Sequence, residues 1–148
     1  MAGRPANPKI YHITHLDNLA QIAAAGMLLS DAARSGRNLT CRVVGMSNIK
    51  RRRLMEVQVG THPSTRVGEY VPLYFCPRLV LLYLLHMGNH PDLEYRGGQR
   101  PILHLAADLH DTVAWADANG RPWAFIDCNA SAGYAHFYSG LADLTEVN

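Results

Sequence analysis

Apolar and polar positions alternate in short stretches along this chain, and glycines and prolines punctuate them into a mixed set of elements. Residues 10–14 read as a strand with His12 and Thr14 on one face, because successive strand side chains point to opposite sides. Leu16, Leu19, Ile22 and Ala23 recur at helical spacing, which predicts a helix over 17–25 closed by Gly26. Residues 30–45 are polar and turn-rich and read as a surface loop. Ser47 can cap a helical turn over 48–51, and residues 55–59 alternate like a strand. A loop over 62–68 follows, then a buried strand over 70–76 that Pro77 ends. Residues 78–87 read as a strongly apolar helix with Pro77 in its first turn, broken at 89–91. Strands at 101–105 and 123–126, a turn at 117–120 and a loop at 127–131 complete the pattern. Without regular β-α-β alternation, the mixture predicts an α+β fold rather than a doubly wound sheet. No internal repeat or linker-like stretch appears, so residues 1–148 read as a single domain.

Composition narrows the class. With 148 residues, 48% hydrophobic and 18% charged, the chain can bury a core without a disulfide or metal staple. It lacks the run of about 18 apolar residues that a membrane span needs. Met1-Ala2-Gly3-Arg4-Pro5 lacks the apolar centre of a signal peptide, which points to a cytoplasmic protein. Cys41, Cys76 and Cys128 show no C-x-x-C spacing and read as reduced thiols packed as small buried hydrophobes. A net charge of +2 conceals a polarised chain. Residues 1–74 hold ten Arg or Lys against four Asp or Glu, and residues 75–148 hold four against eight. All but two of the basic residues are arginine, the side chain suited to bidentate contact with phosphates and base edges. Such a surface fits a phosphate-bearing partner as well as it fits a plain basic exterior.

Familiar catalytic signatures are absent: there is no P-loop, no H-E-x-x-H, no G-x-S-x-G and no G-x-G-x-x-G after a strand. His86 and His90 are four apart, but Gly88 and Pro91 interrupt their helix and no carboxylate stands at a matching spacing, so no metal is expected. Three other groupings remain. His12 and Thr14, projecting together from a strand, can grip a carboxamide or ribose hydroxyls, or form an ordinary strand face. Lys50-Arg51-Arg52-Arg53 is the densest positive charge, able to meet phosphates or a base edge or to remain a solvated helix face. The aromatics from Tyr70 to Tyr83 can build a stacking wall for a flat ring or fill a core.

Several blocks taken together carry a family resemblance. These are Tyr11-His12-Ile13-Thr14-His15-Leu16-Asp17-Asn18-Leu19, Gly45-Met46-Ser47-Asn48-Ile49-Lys50-Arg51-Arg52-Arg53 and Val71-Pro72-Leu73-Tyr74-Phe75-Cys76-Pro77-Arg78. His86-Met87-Gly88-Asn89-His90-Pro91 and Tyr95-Arg96-Gly97-Gly98-Gln99 extend the set. In this order, over residues 11–144, they resemble the DarT family, the toxin half of a bacterial toxin–antitoxin pair. The resemblance implies an ADP-ribosyltransferase that uses NAD+ to modify a base, typically thymidine, in single-stranded DNA. The fold it implies is two facing β-sheets with an NAD+ cleft between them and flanking helices. By the same resemblance, His12 and Thr14 hold the nicotinamide riboside end, and Tyr74, Phe75 and Tyr83 supply the aromatic segment against the nicotinamide ring. Arg51 becomes the catalytic arginine facing the base, with Lys50, Arg52 and Arg53 binding DNA around it. NAD+ is the substrate, no metal is involved, and the partners are single-stranded DNA and a macrodomain antitoxin.

Two departures stand out. Leu79-Val80 occupies the place where relatives carry a Ser-Pro pair. The family's catalytic glutamate lies on a late strand, past the block ending at Leu144, and none of Glu56, Glu69, Glu94 and Glu146 matches it. The expectation is therefore a DarT-like domain, C-terminally truncated relative to the family and inactive alone. The alternative is a catalytically silent module that binds NAD+ or single-stranded DNA. A ribonuclease-type toxin using His12 or His15 with Arg51 has no supporting spacing.

Overall fold

β1 (Lys9–His15) is the element around which the rest is arranged in the computed structural model, which describes residues 5–147. The leader-peptide reading of Met1, Ala2, Gly3 and Arg4 lies outside those residues. β1 pairs antiparallel with β4 (Ile102–Asp108) over its full length, from Lys9 opposite Asp108 to His15 opposite Ile102. Lys9 and Asp108 also join their side chains at one end of the ladder. On the other edge of β1, Tyr11 and Tyr74 exchange backbone hydrogen bonds of 2.8 Å in both directions.

Alternation gives this strand two useful faces. Ile13 and Ile102 enter one apolar cluster with Val44, Met46, Leu85, Leu93 and Tyr95. Ile10 faces the other way and packs with Leu109 and Val113 of α5 (Leu109–Ala118). His12 and Thr14 share the Ile10 face, as their spacing predicts.

The remaining helices are α1 (Leu19–Ala25), α2 (Asp31–Gly36), α3 (Ser47–Met55) and α4 (Val80–Met87). A 3-10 turn, Leu16–Asn18, leads into α1, and Gly26 ends it at φ 68°, a left-handed position that glycine adopts without a Cβ clash. Two further antiparallel pairs form, β2 (Gln58–Val59) with β3 (His62–Arg66) and β5 (Phe125–Ile126) with β6 (Phe137–Tyr138). The α+β class therefore holds, with its sheets built as three small antiparallel pairs.

Several local expectations are corrected. α2 forms inside the stretch read as loop, because Ser30 caps it by accepting the Ala33 N–H at 3.1 Å. β3 replaces the loop read over 62–68; its side chains are half-exposed or exposed, so it has no apolar alternation to show. Residues 70–76 make only the single bridge at Tyr74, since Pro72 has no N–H to continue a ladder. α4 begins at Val80, so Pro77 precedes the helix rather than opening it, and Leu79 at its N-cap provides no side-chain bond. Ser47 is the first residue of α3 rather than its cap, and Met55 ends that helix rather than starting a strand. α5 and β6 had no counterpart in the sequence reading. The cysteines are not the buried hydrophobes expected: Cys41 and Cys128 are half-buried and Cys76 is exposed.

Candidate functional site

The polar face of β1 is held in place by groups outside the strand. His12 Nδ1 lies 2.9 Å from the Pro72 carbonyl. A carbonyl only accepts, so Nδ1 carries the proton and Nε2 of the neutral ring is left as an acceptor. Burial lowers the His12 pKa; the Pro72 bond offsets this in part, while Lys50 and Arg34 push it further down. Thr14, only 6% exposed, accepts a 3.2 Å hydrogen bond from Asn18 Nδ2. The same Asn18 side chain donates to the Arg42 carbonyl at 2.9 Å and accepts the Arg42 N–H at 2.7 Å. Arg42 in turn lies 5.7 Å from the centre of the Tyr95 ring, which meets His15 edge-on at 5.6 Å.

Beside this face, α2 and α3 meet through an ion cluster. Lys50 Nζ donates to both Asp31 oxygens at 3.1 and 3.3 Å, and Arg34 pairs with the same carboxylate while also contacting Cys41 Sγ. Burial alone would raise the Asp31 pKa, but Lys50 and Arg34 outweigh it and hold the carboxyl below its usual range. Lys50, expected on DNA, is thus turned toward Asp31.

The rest of the basic block divides by helical geometry. Asn48, Arg51, Arg52, Met55 and Glu56 form the exposed side of α3 and its C-cap, with Arg52 reaching Glu56 at 3.6 Å. Arg51 has no ion pair or hydrogen-bonded side-chain partner among the described residues. Arg53 points inward, its Nη2 3.4 Å from Asn129 Oδ1.

The aromatic residues are only partly brought together. Tyr74 is fixed beside Tyr11 by the β1 bridge. Phe75 meets Phe125 edge-on at 6.4 Å, and Phe125 stacks on Tyr138 at 5.3 Å, so Phe75 joins a row of rings behind the strand segment. Tyr83 is 62% exposed on α4, whose inward Leu85 belongs to the Ile13 cluster, on the opposite face of β1 from His12. The structure therefore groups His12, Thr14 and Tyr74 around β1 and leaves Tyr83 on an outer surface.

Asn18, Asp31 and Arg34 are the supporting residues that sequence reasoning missed. Asn18 stands four residues after Thr14 across a strand-to-turn junction, the one signal that could have found it. Two open depressions, of about 560 and 310 Å³, lie elsewhere, the first near Leu54 and Arg66 and the second near His62 and Trp123. Among the described residues, no group of three His, Cys, Asp or Glu side chains is placed to hold a metal ion. His86 and His90 instead engage Gln99 and the Asp92 N–H at 3.4 and 3.2 Å. Nor is any described helix long and apolar enough to cross a membrane.

Comparison with known proteins decides the family. Residues 11–148 match the sequence model of DarT, described as an ssDNA thymidine ADP-ribosyltransferase. The chain belongs to the DarT family. A DNA ADP-ribosyl transferase of Thermus sp. is 34% identical over 144 residues, covering 97% of this chain and 64% of the relative. Thermus sp. 2.9 DarT in complex with ADP-ribosylated ssDNA has the same fold, with a TM-score of 0.81 and 34% identity over 97% of this chain and 63% of that one. The same DarT in complex with NAD+ gives a TM-score of 0.75 at 31% identity, covering 99% of this chain and 64% of that one. The chain thus spans somewhat under two-thirds of the DarT proteins it matches. It shares with them the mixed ADP-ribosyltransferase fold that the resemblance implied.

Proposed function

We propose that this chain forms the NAD+-binding and base-facing region of an enzyme that transfers ADP-ribose to thymidine in single-stranded DNA. The observation that carries the reading is the fit to a DarT solved with its ADP-ribosylated strand, at a TM-score of 0.81 over 97% of the chain. In this reading His12 and Thr14 hold the nicotinamide riboside end of NAD+, the histidine through its acceptor Nε2. Tyr74 and Phe75 supply aromatic surface for the nicotinamide, and Tyr83, on the opposite side of β1, is left out of that role. The bond between the nicotinamide nitrogen and ribose C1′ breaks, and its electron pair leaves with nicotinamide. A ring nitrogen of the base, its proton passed to solvent water, donates the pair that forms the new bond to C1′. Arg51, exposed and uncommitted to any carboxylate, stabilises the negative charge the base acquires. Arg52 follows the phosphates from the outer side of α3, Arg53 turns inward to Asn129, and Lys50 adds positive potential from its place on Asp31.

Transfer also needs a carboxylate against the positive charge developing on the ribose. Glu56 pairs with Arg52, Glu69 accepts the Arg66 N–H, Glu146 accepts from Thr145, and Glu94 is exposed. We assign that role to none of the four. A macrodomain antitoxin is the protein partner this reading supplies.

Anisotropy with a labelled thymidine-containing single strand, followed by mass spectrometry after adding NAD+, tests the reading. The 148-residue polypeptide is expected to bind the strand and to form no ADP-ribose adduct. Absence of strand binding would refute the DNA-facing assignment, and an adduct abolished by Glu146→Ala would refute the carboxylate assignment.

A further inference from the structure

We infer that Arg53, Asn129 and Ser131 frame a binding niche for a phosphoryl group between α3 and the loop after β5. Arg53 Nε is shielded from solvent and has no hydrogen-bond partner. Its neighbouring Nη2 reaches Asn129 Oδ1 at 3.4 Å, long for an N–H···O bond. No carboxylate lies within ion-pair distance of Arg53 among the described residues. A second solvent-shielded orphan, the Ser131 hydroxyl, belongs to the same locality. The two are tied together by Asn129, whose Oδ1 also accepts the Ser131 N–H at 3.0 Å. A guanidinium and a backbone amide therefore converge on one amide oxygen, and each of the two residues that supply them also carries a buried polar atom without a partner.

That arrangement is unfavourable for the protein alone. A half-buried guanidinium without a counter-charge and a donor without an acceptor both carry a desolvation cost. A phosphoryl group removes both at once. Two of its oxygens match the Nε and Nη2 edge of arginine, and a third can accept from Ser131. A neutral ligand would satisfy the donors and leave the charge unbalanced. Two sources offer this chemistry, the phosphodiester of a single strand and the diphosphate of NAD+; choosing between them rests on the function proposed above, but the niche itself does not.

Nitrogen-15 NMR of the 148-residue chain, following the Arg53 Nε–H resonance, reads the niche directly. Titration with inorganic pyrophosphate should shift that resonance saturably. Arg53→Lys, which keeps the charge and loses the fork, should weaken pyrophosphate binding, measured by calorimetry, by at least about tenfold. Ser131→Ala, which leaves α3 untouched, should weaken it severalfold and carries the test if the first variant fails to fold. Separate titrations with NAD+ and with a thymidine oligonucleotide assign the source according to which one moves the resonance. A response to pyrophosphate alone would keep the niche and count against the proposed function. An unmoved Arg53 resonance at saturating pyrophosphate, or unchanged affinity in Ser131→Ala, overturns the niche even if NAD+ binds elsewhere.

Discussion

Four consecutive basic residues meet different surroundings because each step along a helix turns the side chain by about 100°. Lys50 is drawn to Asp31 and Arg53 to Asn129, while Arg51 and Arg52 face outward. Their replacements should therefore differ. Arg51→Ala should reduce the preference for thymidine over other bases with little change in the salt dependence of strand binding. Arg52→Ala should leave base preference intact and flatten the slope of log affinity against log salt by about one. Equal losses with unchanged preference in both would mean that the block is only a charged surface. His12 gives a pH prediction at the same scale. Burial holds its folded-state pKa below the ordinary 6.5, so the unfolded chain binds the proton more readily. Its contribution to stability is full above about pH 6.5 and is lost as pH falls toward the depressed value. Urea unfolding across that range should show less acid destabilisation in His12→Gln than in the parent, and identical pH slopes would contradict the neutral, Pro72-bonded ring.

What each element shows in sequence depends on how it is buried. β1 was legible, down to the shared face of His12 and Thr14, because its alternation matches a strand covered on both sides at different points. α1 was legible because Gly26 ends a clear apolar repeat. α2 and β3 were not, since each is short and buries no side chain completely, so a cap and a hairpin partner hold them rather than an apolar stripe. The residues of the candidate site divide in the same way. His12, Thr14 and residues 50–53 carry chemistry in their side chains, whereas Asn18 and Asp31 matter through partners that include Arg42 and Lys50, brought by the fold from 24 and 19 residues away. The packing of α3 yields another prediction. A Cβ on Gly68 would stand 2.6 Å from Leu54 Cδ2 and 2.8 Å from Leu54 Cα, and backbone cannot step aside as a side chain can. Gly68→Ala should cost about 1–3 kcal/mol in urea unfolding. A midpoint equal to the parent's would mean that α3 is not seated against the 3-10 turn Val67–Glu69.

At the scale of the whole molecule, one strand joins the two apolar clusters, the bridge to Tyr74 and the polar face assigned to NAD+. The ion cluster of Asp31, Arg34 and Lys50 ties α2 to α3 beside that face, and the outward arginines of α3 stand next to it. A DarT reading thus makes NAD+ binding depend on the β1 face before any question of transfer arises. The most direct test is a calorimetric titration of the 148-residue chain with NAD+, in the parent and in Thr14→Val, which removes the hydroxyl at constant shape. Saturable one-to-one binding is expected in the parent, weakened about tenfold or more in the variant. No binding in the parent, or equal affinity in both, would contradict that reading.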